Sequence, residues 1–333
     1  MINRREFMIG ATGSMLSALS KRGGNISGNV IMKRVPGNKK SKISLVKTSE
    51  RATGIQRVIS LLEINPVKGQ DVLLKPNFNT ADPFPGSTHN DTLSNLILCL
   101  KKMGAKSITI GERSGPPETN SVIKEKSIDE ICKEYDVGLI NFEELSSDGW
   151  IKIKPEKSHW RNGFYVAKPI LDSKCTVATC CLKTHGFGGV FTMSLKLSVG
   201  ITHKKNMTEL HTSPLSMRKM IAEINQAYSP SLILLDGIEA FVDGGPMHGT
   251  KKKADVILAG TDRVAIDAVG LAVLKELGSN RAIMSKKIFE QEQISRAVEL
   301  GLGVTGPSNI EILTDDSESQ RYSKKLTEIL LKG

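Results

Sequence analysis

The segment Asp71-Val-Leu-Leu-Lys-Pro-Asn-Phe-Asn79 opens as a short apolar run and passes straight into lysine, proline and asparagine. Asp91 to Met103 follows with helical apolar spacing, begun by an Asp cap and stopped at Gly104. Ser107-Ile-Thr-Ile-Gly-Glu-Arg113 is then a second short strand that ends in charge. Strand, helix and strand of these lengths form the unit of a parallel sheet, because parallel neighbours need a crossover of a dozen or more residues.

The same rhythm extends in both directions. Upstream, Ile43 to Lys47 reads as a strand and Thr53 to Glu63 as a helix. Downstream come a helix at Ser121–Tyr135 and a strand at Gly138–Phe142, then a less regular stretch, 143–172. There Trp150–Lys154 and Phe164–Lys168 read as two antiparallel strands of an insertion or flap. Alternation resumes with strand Thr176–Leu182, a glycine-rich turn at 186–189, and helices Thr192–Val199 and Pro214–Tyr228. Strands Leu232–Asp236 and Val256–Ala259, helix Arg263–Leu277, a helix near 288–300, strand Ile310–Leu313 and a last helix from Ser319 complete the chain. The expected fold is α/β and Rossmann-like: one domain over 43–333, with a mostly parallel sheet, helices on both faces and a small antiparallel insertion.

The net charge of +11 over 333 residues is concentrated at one end. Residues 1–53 hold eleven Lys or Arg against two Glu, which leaves +2 for the other 280. A nearly neutral body lacks the basic face that nucleic-acid binding needs, so no nucleic-acid partner is expected. The leader itself, Asn3-Arg4-Arg5-Glu6-Phe7-Met8-Ile9 followed by a weakly apolar stretch to Leu19, resembles a twin-arginine export signal. It is too short for a stable membrane span. Residues 1–42 are therefore read as signal and linker, the export machinery as a partner and the location as periplasmic; without processing, the protein is cytoplasmic.

Five cysteines are too few and too irregular for a disulfide framework. Cys180 and Cys181 are adjacent on a strand and point to opposite faces, and no C-x-x-C-x-x-C run exists, so an iron–sulfur cluster is not supported. Packing in the core is the expected role of all five.

Ligands of open parallel sheets bind beyond the carboxyl ends of the strands. The strand exits here carry Lys75 and Asn77, Glu112 and Arg113, Lys183 and His185, Asp236 and Glu239, and Asp262. Lys75, Lys183 and Lys196 suit a carboxylate or phosphate. His185-Gly-Phe-Gly-Gly-Val190 leads towards Thr192, Ser194 and Lys196, and a glycine-rich loop before a helix would present N–H groups to an anion. His185, Lys183 and Glu112 are the candidates for proton transfer. Gly244, Gly245 and Gly249 would let backbone approach the ligand closely. Asp236 and Glu239, with His185 and Glu112, are candidate ligands for a divalent metal, the one cofactor this residue set suggests. Asp262 reads as a helix cap, and Asp267, in an apolar helix, would need a partner, for which a lysine is the natural choice.

Four stretches resemble the family known as domain of unknown function 362: Leu73-Leu-Lys-Pro-Asn77; Leu182-Lys-Thr-His185 with Thr192-Met-Ser-Leu-Lys196; Asp236-Gly-Ile-Glu239 with Gly244-Gly-Pro246 and Gly249; and Asp262-Arg-Val-Ala-Ile-Asp267. The resemblance covers about residues 70–275 and implies the same fold and site. Many members are described as iron–sulfur proteins through ferredoxin-like cysteine motifs, which this chain lacks. The strand–loop–helix of 71–110 is also similar in layout to the nickel-pincer lactate racemases, which makes racemisation or epimerisation one reaction to weigh by analogy. Two functions follow as expectations. One is an enzyme that moves a proton on a small anionic substrate. The other is a non-catalytic accessory protein that binds a metal, cluster or metabolite during the maturation of redox enzymes.

Overall fold

The computed structural model describes residues 40–333. The export-signal reading lies outside them, as does the linker up to residue 39. Eleven strands are formed among the described residues: β1 (Ser41–Lys47), β2 (Asp71–Lys75), β3 (Ser107–Glu112), β4 (Gly138–Asn141), β5 (Trp150–Ile153), β6 (Phe164–Ala167), β7 (Cys175–His185), β8 (Val190–Thr192), β9 (Leu232–Gly244), β10 (Gly249–Gly260) and β11 (Ile310–Leu313). The first begins at Ser41, so the end of the expected linker is already sheet.

Nine strands make one sheet in the order β11-β1-β10-β9-β7-β2-β3-β4, with β8 paired to the end of β7. Neighbours are parallel except where β10 meets β9 and β1, and where β8 meets β7. The fold is thus the mostly parallel α/β class that the strand–helix rhythm predicts. From β2 the chain runs outward through β3 to β4, then returns to the other side of β2 and continues through β7 and β9. The carboxyl ends of β2 and β7 therefore flank a topological switch point, where the connecting loops diverge and leave a crevice.

Strands in such a sheet are buried on both faces and read as continuous apolar runs. All eleven residues of β7 are buried. Alternation divides them between layers. Val72 and Leu74 of β2 pack with Ile108 and Ile110 under the helices of the 51–134 region, whereas Leu73 faces the opposite side with Phe142. Cys180 and Leu182 pack with Leu258 and the helix Arg263–Leu277. Burying a side chain of this size contributes roughly 1.5–3 kcal/mol.

The antiparallel pair expected in 143–172 is β5 against β6. Trp150, Trp160, Phe164 and Val166 are buried in a core shared with helix Met217–Ile224, and Trp160 Nε1 donates to the Met220 carbonyl at 3.1 Å. Glu223 of that helix accepts from His159 N at 2.9 Å and from Arg296 Nη2 at 2.9 Å. The insertion is a packed layer rather than an open flap.

Local details depart from the sequence reading in two instructive places. Helix Asn90–Lys102 is capped by the His89 side chain, which accepts from Asp91 N at 3.1 Å, so Asp91 lies inside the first turn. Asp262 does cap the helix 263–277, accepting from Val264 N and Ala265 N at 2.9 and 3.0 Å. Since β10 runs antiparallel, however, that cap sits at the end of the sheet away from Lys75. Among the described residues no helix is long and apolar enough to cross a membrane.

Candidate functional site

At the switch point a cavity of about 530 Å³ opens between the ends of β2, β3 and β7. Seven of the thirteen residues proposed from sequence line it: Lys75, Asn77, Glu112, Lys183, His185, Thr192 and Lys196. Lys75 is 1% exposed, and its ammonium donates to the Pro76 carbonyl at 2.7 Å and to Glu112 Oε1. The Glu112 carboxylate also accepts from Phe78 N at 2.8 Å and from Arg113 N at 2.9 Å. The one carboxylate on the floor is thus fully engaged. Burial lowers the Lys75 pKa, and Glu112 opposes that shift. Gly200 closes against this pair: a Cβ on it would lie 2.8 Å from Lys75 Nζ and 2.9 Å from Glu112 Oε1, so the ion pair would have to shift.

Lys183 and His185 do not leave the strand. Strand β7 continues through them because their backbones pair with β8, Lys183 opposite Thr192 and His185 opposite Val190. Residues 186–189 are accordingly the turn of a hairpin. The Lys183 ammonium donates to the carbonyls of Gly86, at 2.5 Å, and Pro246, at 3.1 Å. It ties the 80s loop to the β9–β10 hairpin, which leaves one hydrogen for a ligand. Its pKa is lowered to about 8 by burial, offset in part by Cys181 and Asp82. His185 Nδ1 accepts from Gly189 N at 3.2 Å, which assigns the ring proton to Nε2. Burial, together with Lys196 and Lys183, pushes its pKa down to about 2, so the ring is neutral.

Lys196 has no hydrogen-bond or ion-pair partner among the described residues. Burial, Lys183 and Arg113 lower its pKa to about 7. Two further atoms are orphaned in the same wall: Arg113 Nε and Thr192 Oγ1 are both buried without a partner. Arg113 is 2% exposed, with its pKa lowered to about 10 by burial, and its other nitrogens bond the Ser114 and Val199 carbonyls at 2.7 and 2.5 Å. With Lys204, which is paired with Glu143 and the Pro117 carbonyl, five cationic side chains therefore line a cavity with one committed carboxylate, Glu112. Phe187, Leu197, Val199, Met207 and Met247 form an apolar stretch of the wall, which Asn79, Lys204 and His211 also line.

The other six proposed residues stand elsewhere. Ser194 is buried behind the cavity, and the N–H groups of Ser194 and Leu195, which were expected to face an anion, donate to the Asp267 carboxylate at 2.7 and 3.0 Å. This corrects both the free helix start and the lysine partner expected for Asp267. Asp236 lies within β9, bonded to Arg51 Nε at 2.9 Å and Thr92 Oγ1 at 2.5 Å. Glu239 is on the same hairpin, 3.4 Å from Lys251. Neither joins His185 and Glu112 as the expected metal set. Among the described residues no three His, Cys, Asp or Glu side chains converge in a way that could hold an ion. Gly244, Gly245 and Gly249 close the β9–β10 hairpin and serve backbone packing. A Cβ on Gly245, at φ +68°, would lie 2.1 Å from the Thr184 carbonyl oxygen. Their neighbours Pro246 and Met247 reach the cavity instead. All five cysteines are free and buried, although Cys181 faces Asn77 Nδ2 at 3.7 Å beside the site.

Sequence reasoning gave Arg113 no role and missed the apolar wall. Arg113 was legible as a strand-exit cation. Phe187 and Met247 are not, since they sit at hairpin tips and local periodicity shows those hairpins as loops.

Asp267 has a pH signature. Burial raises its pKa to about 7, against the effect of its two backbone donors. A carboxyl with a raised folded-state pKa holds more protons when folded, so its contribution to stability is lost as pH rises from about 4 to about 7. Denaturant unfolding across that window is expected to show a falling slope that Asp267→Asn flattens; an identical slope in the variant would refute the assignment.

These features define an α/β protein with a cation-rich cavity at the switch point of its sheet. The chain belongs to the family described as Domain of unknown function (DUF362), which matches residues 72–272. It is similar to the Thylakoid-associated protein sll1697 of Synechocystis sp. (strain ATCC 27184 / PCC 6803 / Kazusa), with 25% identity over 223 residues, covering 62% of this chain and 64% of that protein. The chain therefore spans a little under two thirds of that relative. Among solved structures, the lactate racemase apoprotein from Thermoanaerobacterium thermosaccharolyticum covers 88% of both chains at 12% identity and a TM-score of 0.43. A likeness of that size carries no chemistry to this chain.

Proposed function

We propose that the cavity binds a small anionic organic molecule and that its lysines move a proton on it. One observation carries the reading: Arg113 Nε is buried without a partner, and the half-buried Lys196 amine makes no hydrogen bond or ion pair among the described residues, in a cavity whose one described acid is bonded to Lys75 and two backbone amides. A buried guanidinium nitrogen without a hydrogen-bond partner is costly, and an anion that completes the pairing of Arg113 and Lys196 offsets that cost. The apolar wall selects an organic acid over a bare inorganic ion. His185, held neutral with Nε2–H, is a hydrogen-bond donor and not the charged acid of the site.

Titration calorimetry with propanoate, lactate and inorganic phosphate tests the reading. Binding of a carboxylate at one site per chain, weakened at least tenfold in Arg113→Met, is expected. Absence of binding by all three refutes it.

We also propose that the Arg4-Arg5 leader directs twin-arginine export. Changing both residues to lysine should hold the precursor in the cytoplasm, and unchanged fractionation would exclude this route.

A further inference from the structure

Lysines 75, 183, 196 and 204 all line the cavity, but they differ in what their nitrogens already do: Lys204 is paired with Glu143 and donates to the Pro117 carbonyl at 3.0 Å. Lys75 is paired with Glu112, and Lys183 with two carbonyls. Among the described residues only Lys196 of these four keeps an uncommitted nitrogen, and no described acid faces it. Its surroundings are Lys183 and neutral His185 on β7, Arg113 after β3 and Thr192 on β8. Gly189 locates it beside the imidazole: a Cβ there would lie 2.9 Å from both Lys196 Cε and His185 Nδ1. A lysine desolvated next to other cations is the arrangement that turns an amine into a nucleophile for carbonyl carbon.

Resting on the anion site proposed above, we propose that Lys196 forms a Schiff base with a small oxo acid. The carboxylate pairs with Arg113 Nε and the remaining hydrogen of Lys183, and the ketone is presented to Lys196 Nζ. The nitrogen bonds to the carbonyl carbon, and the carbonyl electron pair moves to oxygen, which takes up in turn the two protons that the amine nitrogen sheds. The carbinolamine then releases that oxygen as water, leaving a C=N bond, so no oxidant or reductant takes part. Thr192 Oγ1 and His185 Nε2–H supply hydrogen bonds to the oxygen as it gains charge. The protonated imine is an electron sink, which makes a neighbouring C–H acidic or a neighbouring carboxylate labile. The lowered pKa supports the assignment, since burial and the neighbouring cations favour the free amine. An ordinary surface lysine would be almost wholly protonated.

The test uses the full chain with pyruvate or acetoacetate as probe and sodium cyanoborohydride as trap, followed by peptide mapping. Lys196 should be alkylated more than about tenfold faster than any surface lysine. Propanoate should suppress the labelling, and Lys196→Arg should abolish it. Labelling spread over surface lysines without preference for Lys196 overturns the proposal, and mapping of the unaltered protein shows this even if the variant fails to fold. If propanoate binds in an Arg113-dependent way but neither oxo acid is trapped, the anion site stands and the Schiff base falls. If no acid binds and none is trapped, both fall.

Discussion

Lys196→Met is expected to lose carboxylate affinity by roughly 10- to 100-fold while leaving the protein as stable as before or more so. A simple acid such as propanoate offers no ketone, so the ammonium form of Lys196 is free to pair with its carboxylate alongside Arg113; such a charge-assisted hydrogen bond is worth about 1.5–3 kcal/mol, and each 1.4 kcal/mol is a factor of ten in affinity. The unusual half of the prediction concerns stability. Lys196 has no partner among the described residues and sits near Lys183 and Arg113, both of which lower its pKa. Methionine keeps most of its length and its apolar stem while removing the repulsion and the desolvation cost. Affinity should also depend on pH in a defined sense. An ammonium attracts the anion, so noncovalent binding weakens as pH rises through about 7 at Lys196 and about 8 at Lys183. The variant should retain only the second step. Calorimetry from pH 6 to 9 and thermal unfolding measure both halves; unchanged affinity, or a large loss of stability, would show that Lys196 has a structural partner instead of a ligand.

Glu112→Gln is expected to destabilise the fold by about 3–5 kcal/mol, the cost of leaving one member of a buried ion pair without the other. Lys75 is 1% exposed and Glu112 is 2% exposed, and the glutamate also accepts from Phe78 N and Arg113 N. Glutamine keeps one acceptor oxygen but presents an NH2 to groups that are all donors. Lys75→Met in the same chain should recover part of the loss, because it removes the orphaned ammonium. Denaturant unfolding of the two single variants and the double variant supplies the coupling energy. Strict additivity would show that the pair does not act as a unit.

The central strands were readable because nothing about them depends on distant residues. Val72 to Leu74 and Ile108 to Ile110 are short apolar runs bounded by turns, and their spacing leaves room for one helix. The two hairpins were not readable. Lys183, Thr184 and His185 continue a strand because β8 returns to satisfy their backbone groups. The stretch from Asp236 to Gly244 likewise stays extended against Gly249–Val256, including the lysines 251–253, whose charge gives no sign of sheet. Polar residues can occupy strands where partners arrive from elsewhere, and those partners are invisible to local periodicity.

The sequence by itself determined a mostly parallel α/β fold and placed Lys75, Asn77, Glu112 and Lys183 at the carboxyl end of its sheet, since apolar runs that stop in charge specify where each strand leaves the core. Tertiary structure alone decided which charges meet. The antiparallel direction of β10 carried Asp262 to the far end, and Arg51 and Thr92 claimed Asp236. Asp267 took the helix start that had been expected to bind an anion. What remains unclaimed at the switch point is Lys196 with Arg113 Nε, because hydrogen-bond partners are assigned in space, and only the folded chain shows which donors have none.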